Sequence, residues 1–130
     1  MSAYMERAKQ LRASTSVHYN CAQSALVPFA EQQGYTAEQA CAFAAAFGQG
    51  MQTANLCGAF TGALMALGVC GKADRKNVVA LTRRMRQNHD GTLLCAELLR
   101  KNAEAGGERK PHCDAMVFEA VALVEEILEA

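Results

Sequence analysis

Apolar positions in the run Asn55 to Gly71, NLCGAFTGALMALGVCG, recur with the period of a helix. Leu56, Phe60, Leu64 and Leu67 share one face, and Gly58, Ala59, Gly62, Ala63 and Ala66 make a small-residue stripe beside it. The run carries no charge. A helix that is apolar all round is normally buried, so this one is expected at the centre of the fold, with a neighbouring backbone lying close against the small stripe. The run is shorter than the roughly 20 residues a bilayer needs, so no transmembrane segment is expected. Asn55 is a good cap, which places Cys57 in the first turn.

The other helices follow from the same pattern. A first is predicted from Ser2 to about Ala13, ended by Ser14-Thr15-Ser16. Asn20 with Gln23 has the form of a capping box, followed by an apolar face of Ala22, Ala25, Leu26 and Phe29; Pro28 should kink or end that helix. Thr36 with Gln39 repeats the signature before Ala40, Phe43, Ala44 and Phe47. Gly48 and Gly50 punctuate a loop into the central helix. Asp74 opens a helix with Val78, Leu81, Thr82 and Met85 inward and Lys76, Arg83, Arg84 and Arg86 outward. Thr92 is the expected cap of the next, with Cys95 in its first turn. A charged loop from Ala105 to Pro111 precedes the most regular stripe, Cys113, Val117, Val121, Val124 and Leu128. No alternating run asks to be a strand. The expectation is a single all-α domain over 1–130, a bundle of about five to seven helices around a buried central one.

Composition narrows the function classes. Lys+Arg and Asp+Glu balance at 13 each in a chain of 130 residues, so no global field draws nucleic acid or an anionic membrane. The basic group on the Asp74 helix reads as a solvated face. The N-terminus has charges where a signal peptide needs an apolar core, and a cytoplasmic protein is expected. In that compartment 6 cysteines argue for reactive, redox-switching or metal-bound thiols over a permanent disulfide framework. An apolar fraction of 51% raises the prospect of a homodimer.

Cys21, Cys57, Cys95 and Cys113 are each predicted within a turn of a helix start, on different helices, where free N–H groups and the helix dipole favour thiolate. Cys41, mid-helix among alanines, and Cys70, at a helix end, read as small core residues. No CxxC pair occurs, so any joint site must be assembled by the fold.

On these residues the chain resembles the C_GCAxxG_C_C family, small bacterial and archaeal proteins described as redox-active. The motif is Cys57-Gly58-Ala59-Phe60-Thr61-Gly62; Cys21, in Asn-Cys-Ala-Gln, precedes it, and Cys95 and Cys113 follow. The resemblance runs from about His18 to the last helix and leaves out Cys41 and Cys70. It implies a redox role without supplying a substrate or a cofactor.

Three functions compete at this level. In the first, Cys57 attacks a disulfide or peroxide-like oxidant and Cys21, Cys95 or Cys113 resolves the product, with a protein or a small thiol or disulfide as redox partner. His18, near Cys21, and His112, beside Cys113, are candidate proton carriers. In the second, the same four thiolates, or three with His112, hold zinc or an iron–sulfur cluster. In the third, the cysteines only pack, and the domain is a helical interaction module.

Overall fold

The computed structural model describes residues 2–130. Seven α-helices follow one another among them: α1 (Ala3–Ala13), α2 (Cys21–Gln32), α3 (Ala37–Ala44), α4 (Gly58–Val69), α5 (Arg75–Gln87), α6 (Cys95–Glu104) and α7 (Arg109–Glu129). The only extended pairing among the described residues is a single antiparallel bridge between Leu56 and Leu94.

Local side-chain chemistry accounts for the first three helix starts. Ser2 caps α1 by accepting from the Met5 amide at 3.0 Å. Both expected capping boxes form: Asn20 accepts from Gln23 N–H at 2.7 Å while the Gln23 side chain accepts from Asn20 N–H at 2.8 Å, and Thr36 with Gln39 does the same at 3.1 and 2.9 Å. Each box satisfies two backbone donors that a helix start would otherwise leave open.

Several expectations need correction. Pro28 neither ends nor splits α2, which runs on to Gln32. Pro28 is buried, with every residue from Ser24 to Ala30, so packing on all sides outweighs one missing backbone donor. α4 starts later than Asn55 implied: Cys57 is itself the N-cap, and Leu56 sits outside the helix in the bridge to Leu94. α6 likewise is capped two residues past Thr92, whose hydroxyl accepts from the Leu94 amide at 3.2 Å, leaving Leu94 as N-cap and Cys95 as first helical residue. α7 starts at Arg109, inside the stretch read as a loop, because Pro111 lies in a first turn where its lost N–H has no partner to lose. Cys113 is therefore one turn further into α7 than expected. Phe43 is exposed, not inward; Ala40 and Ala44 form the buried face of α3, and Phe43 meets Tyr35 edge-on at 6.2 Å. Cys41 and Cys70 are partly buried at the margin of the core, not inside it.

The central helix is as expected. α4 is buried along Gly58–Ala63 and again at Ala66 and Leu67, and its most extensive neighbour is α2. The reason is the glycine stripe. A Cβ at Gly62 would lie 2.5 Å from the carbonyl oxygen and 2.8 Å from the Cα of Ala22; one at Gly58 would lie 3.2 Å from the Cβ of Cys21. Only glycine lets the first turn of α2 come this close. α7 then covers the α2–α4 pair with Met116, Val117, Ala120, Val121, Leu123 and Val124, joined in one cluster to Leu26, Phe29, Leu67, Leu81 and Met85.

Candidate functional site

The glycine stripe that sets the α2–α4 spacing also sets the site. Cys21 opens α2 and Cys57 caps α4, so the close approach at Gly58 holds two helix starts, and two cysteines, side by side. The bridge brings the third. Cys57 N–H donates to the Leu93 carbonyl at 2.7 Å and Cys95 N–H donates to the Asn55 carbonyl at 2.6 Å, which locks the start of α6 beside that of α4. α7 brings Cys113 across the top of both. All four cysteines line one small cavity of about 30 Å³, closed by Leu98, Leu99, Met116, Gly58, Gln49, Arg109 and His112. Cys41 and Cys70 are not part of it.

Each thiol has a different environment. Cys113 is held well below the ordinary thiol range, at about 6. The main cause is a hydrogen bond from the Cys21 thiol; partial burial opposes it, and the guanidinium groups of Arg12 and Arg109 add smaller downward contributions. Cys21 is the other half of that arrangement: donating to Cys113, and buried besides, it is driven strongly upward and keeps its proton. Cys57 is raised to about 11 by burial, and the amides of Phe60 and Ala59 offset only part of this. The helix start expected to make Cys57 a thiolate is in place, but desolvation beside a helix terminus is the larger effect here. Cys95 is also raised, chiefly by burial. Burial thus works against a thiolate at Cys57, and of the four thiols it is Cys113 that is shifted downward.

Two of the groups that produce this result were missed from the sequence. Arg109 precedes Cys113 by one helical turn, a spacing that could have revealed it. Arg12 gave no such signal. It arrives from α1, its side chain is only 9% exposed, and it is fixed by Asp114 at 2.6 Å and by the Tyr19 carbonyl at 3.0 Å. Of the two histidines, His112 lines the cavity, with its pKa lowered by burial and by nearby His89. His18 lies outside it, in an adjoining cleft of about 730 Å³ whose walls share Cys21, Gln49, Arg109 and Cys113 with the small cavity.

Gln49 belongs to a segment with unusual backbone. Gln49, Gly50, Met51, Gln52 and Ala54 all have positive φ, at 53°, 64°, 59°, 61° and 59°, and the Asn55 amide closes the turn on the Gly50 carbonyl at 3.0 Å. This left-handed turn sets Gln49 against the cysteines. Among the described residues no group of three or more His, Cys, Asp or Glu side chains is placed to hold a metal ion. No helix among them is long and apolar enough to cross a membrane.

An all-helical bundle that gathers cysteines from four helices into one cavity, with one thiol shifted down beside another, defines a thiol-centred helical protein. More particularly, the chain belongs to the C_GCAxxG_C_C family, whose model, described as "Putative redox-active protein (C_GCAxxG_C_C)", matches residues 19–127. No curated protein and no solved structure matches the chain.

Proposed function

We propose that the protein carries out reversible thiol–disulfide exchange in a reducing compartment, with Cys113 as nucleophile and Cys21 as resolving thiol. The observation that supports this most is the pairing of these two residues at the cavity. One sulfur is held as thiolate at about 6 by the other's S–H and by two arginines, while its partner keeps the proton needed later. A thiolate with a value near or below ambient pH is ionised without a separate base.

The exchange balances as follows. The Cys113 thiolate attacks one sulfur of a disulfide R–S–S–R′, forming a Cys113–S–S–R bond and expelling R′–S⁻. That departing charge removes the reason for Cys21 to stay neutral, because the anion it was hydrogen-bonded to is gone. Cys21 loses its proton, attacks the Cys113 sulfur and expels R–S⁻, leaving a Cys21–Cys113 disulfide. Two thiols of the protein are oxidised and one disulfide is reduced to two thiols; a dithiol reductant, small or protein-borne, reverses the change. Cys57 and Cys95, protonated in the same cavity, are reserve thiols that can take over the bond by internal exchange. His112, whose pKa is lowered by burial, shares the cavity with Cys21 and is the histidine assigned to accept its proton.

The test is a titration of the protein in graded thiol–disulfide buffers, with peptide mapping of the bonds formed. A Cys21–Cys113 linkage with a midpoint in the range of cellular dithiols is the expected result. All thiols remaining free at every potential, or bonding confined to Cys41 and Cys70, would overturn the proposal.

A further inference from the structure

Resting on the thiol–disulfide reading, we infer that the disulfide exchanged here is a small molecule bearing carboxylates, taken up in the cleft beside Cys113. A wide cleft, a cationic wall and the reactive sulfur occur together. The cleft of about 730 Å³ is in the range of small-molecule sites, far above the 30 Å³ of the cysteine cavity it adjoins. The two share Cys21, Gln49, Arg109 and Cys113, so a molecule seated in the cleft reaches the thiolate without entering the buried space behind it.

Apart from the Cys113 sulfur itself, the charged side chains on the walls of the cleft have one sign. Arg12, Arg109 and Lys110 line it, with His18, and no aspartate or glutamate does. One carboxylate stands near: Asp114 takes Arg12 at 2.6 Å and Lys110 at 3.1 Å. Two cations thus share a single carboxylate, and Arg109, which faces the Cys113 sulfur, has no carboxylate partner among the described residues. Lys110 is further steadied by donating to the Arg12 carbonyl at 2.9 Å, which ties the start of α7 to the end of α1. The chain as a whole is neutral, so this excess is local. Tyr19, Asn20, Gln49 and Gln52 supply uncharged polar groups on the remaining sides.

The consequence is selection by charge. A carboxylate placed on Arg109 and Lys110 brings an attached disulfide to Cys113, whereas an ammonium-bearing disulfide meets the same wall with repulsion. Arginine suits this role through its planar, paired donors.

The experiment measures second-order rates of the reduced protein with three disulfides of similar chemistry: oxidised glutathione, which is anionic; bis(2-hydroxyethyl) disulfide, which is neutral; and cystamine, which is cationic. Fluorescent labelling of remaining thiols gives the readout at low and moderate salt. The expected order is anionic, neutral, cationic, with at least about a tenfold span from first to last that shrinks with salt. In R109Q and K110Q, both exposed sites that should fold, the ratio of the anionic to the neutral rate falls toward one. The ratio cancels any change in the thiolate fraction of Cys113. Equal rates for all three, or an unchanged ratio in both variants, overturn the anionic assignment while leaving thiol exchange standing. No reaction with any of the three overturns the exchange reading itself, and this inference with it.

Discussion

A single methyl group at Gly62 tests the link between packing and thiol chemistry. In Gly62→Ala the new Cβ would fall 2.5 Å from the Ala22 oxygen and 2.8 Å from its Cα. Both atoms are backbone, so no side chain can turn aside. Reaching ordinary contact requires α2 to withdraw by about 1 Å, a shift of the kind that overpacking a filled core forces at about 1–3 kcal/mol. With two backbone clashes the upper end applies, and the better helix propensity of alanine returns about 1 kcal/mol. The net loss is then about 2 kcal/mol, or a fall in Tm of about 6–10 °C. Because Ala22 follows Cys21 directly, the same withdrawal draws the Cys21 thiol from Cys113. The Cys113 value should climb from about 6 toward the ordinary thiol value of 9.0. Thermal melts and pH-dependent alkylation, followed on the Cys113 peptide by mass spectrometry, read the two effects. Gly68→Ala is the control in the same helix: nothing lies within 4 Å of a Cβ there, so it should stabilise by up to about 1 kcal/mol. A Gly62→Ala protein as stable as the parent, or one with an unmoved Cys113 profile, would refute the reasoning.

Other outcomes follow from the same geometry. The Cys113 thiol sits near 6 in the fold against 9.0 unconstrained, so the fold binds fewer protons there than the unfolded chain does between those values. Its contribution to stability is full above pH 9, declines as pH falls through 6 and vanishes below; urea unfolding should show the gap between the parent and Cys113→Ser widening from pH 6 to pH 9, and a constant gap would count against it. Cys57, raised to about 11, acts in the opposite sense, and its contribution is lost as pH rises from 9 to 11. Arg12→Met should destabilise by about 2–3 kcal/mol in denaturant titrations, since it leaves Asp114 and the Tyr19 carbonyl without their buried donor. Ala54→Gly should stabilise by about 0.5–1 kcal/mol in the same assay, because a positive φ of 59° strains alanine by more than glycine loses in entropy.

Much of the architecture was legible in local sequence, because its causes are local. The Asn20–Gln23 and Thr36–Gln39 boxes act across three residues, the Val117–Val121–Val124 stripe expresses the helical repeat, and the Gly58–Gly62 stripe announces a close neighbour wherever it is buried. The same logic named Cys21, Cys57, Cys95 and Cys113 as a group. Errors appeared where a distant partner intervened. Cys57 became a cap, and Leu56 left the helix, because backbone groups near Leu93 and Leu94 took their hydrogen bonds.

What tertiary structure alone decided is how the environments of the four thiols differ. A helix start beside Cys57 can be read from its neighbours in sequence, but the burial that overrides it comes from α6 and α7 packing over the cavity. The downward shift of Cys113 depends on a thiol from α2 and a guanidinium from α1, roughly ninety and a hundred residues away along the chain. Ionisation responds to distance in space and to exclusion of water, and neither is written in the order of residues until the helices have packed.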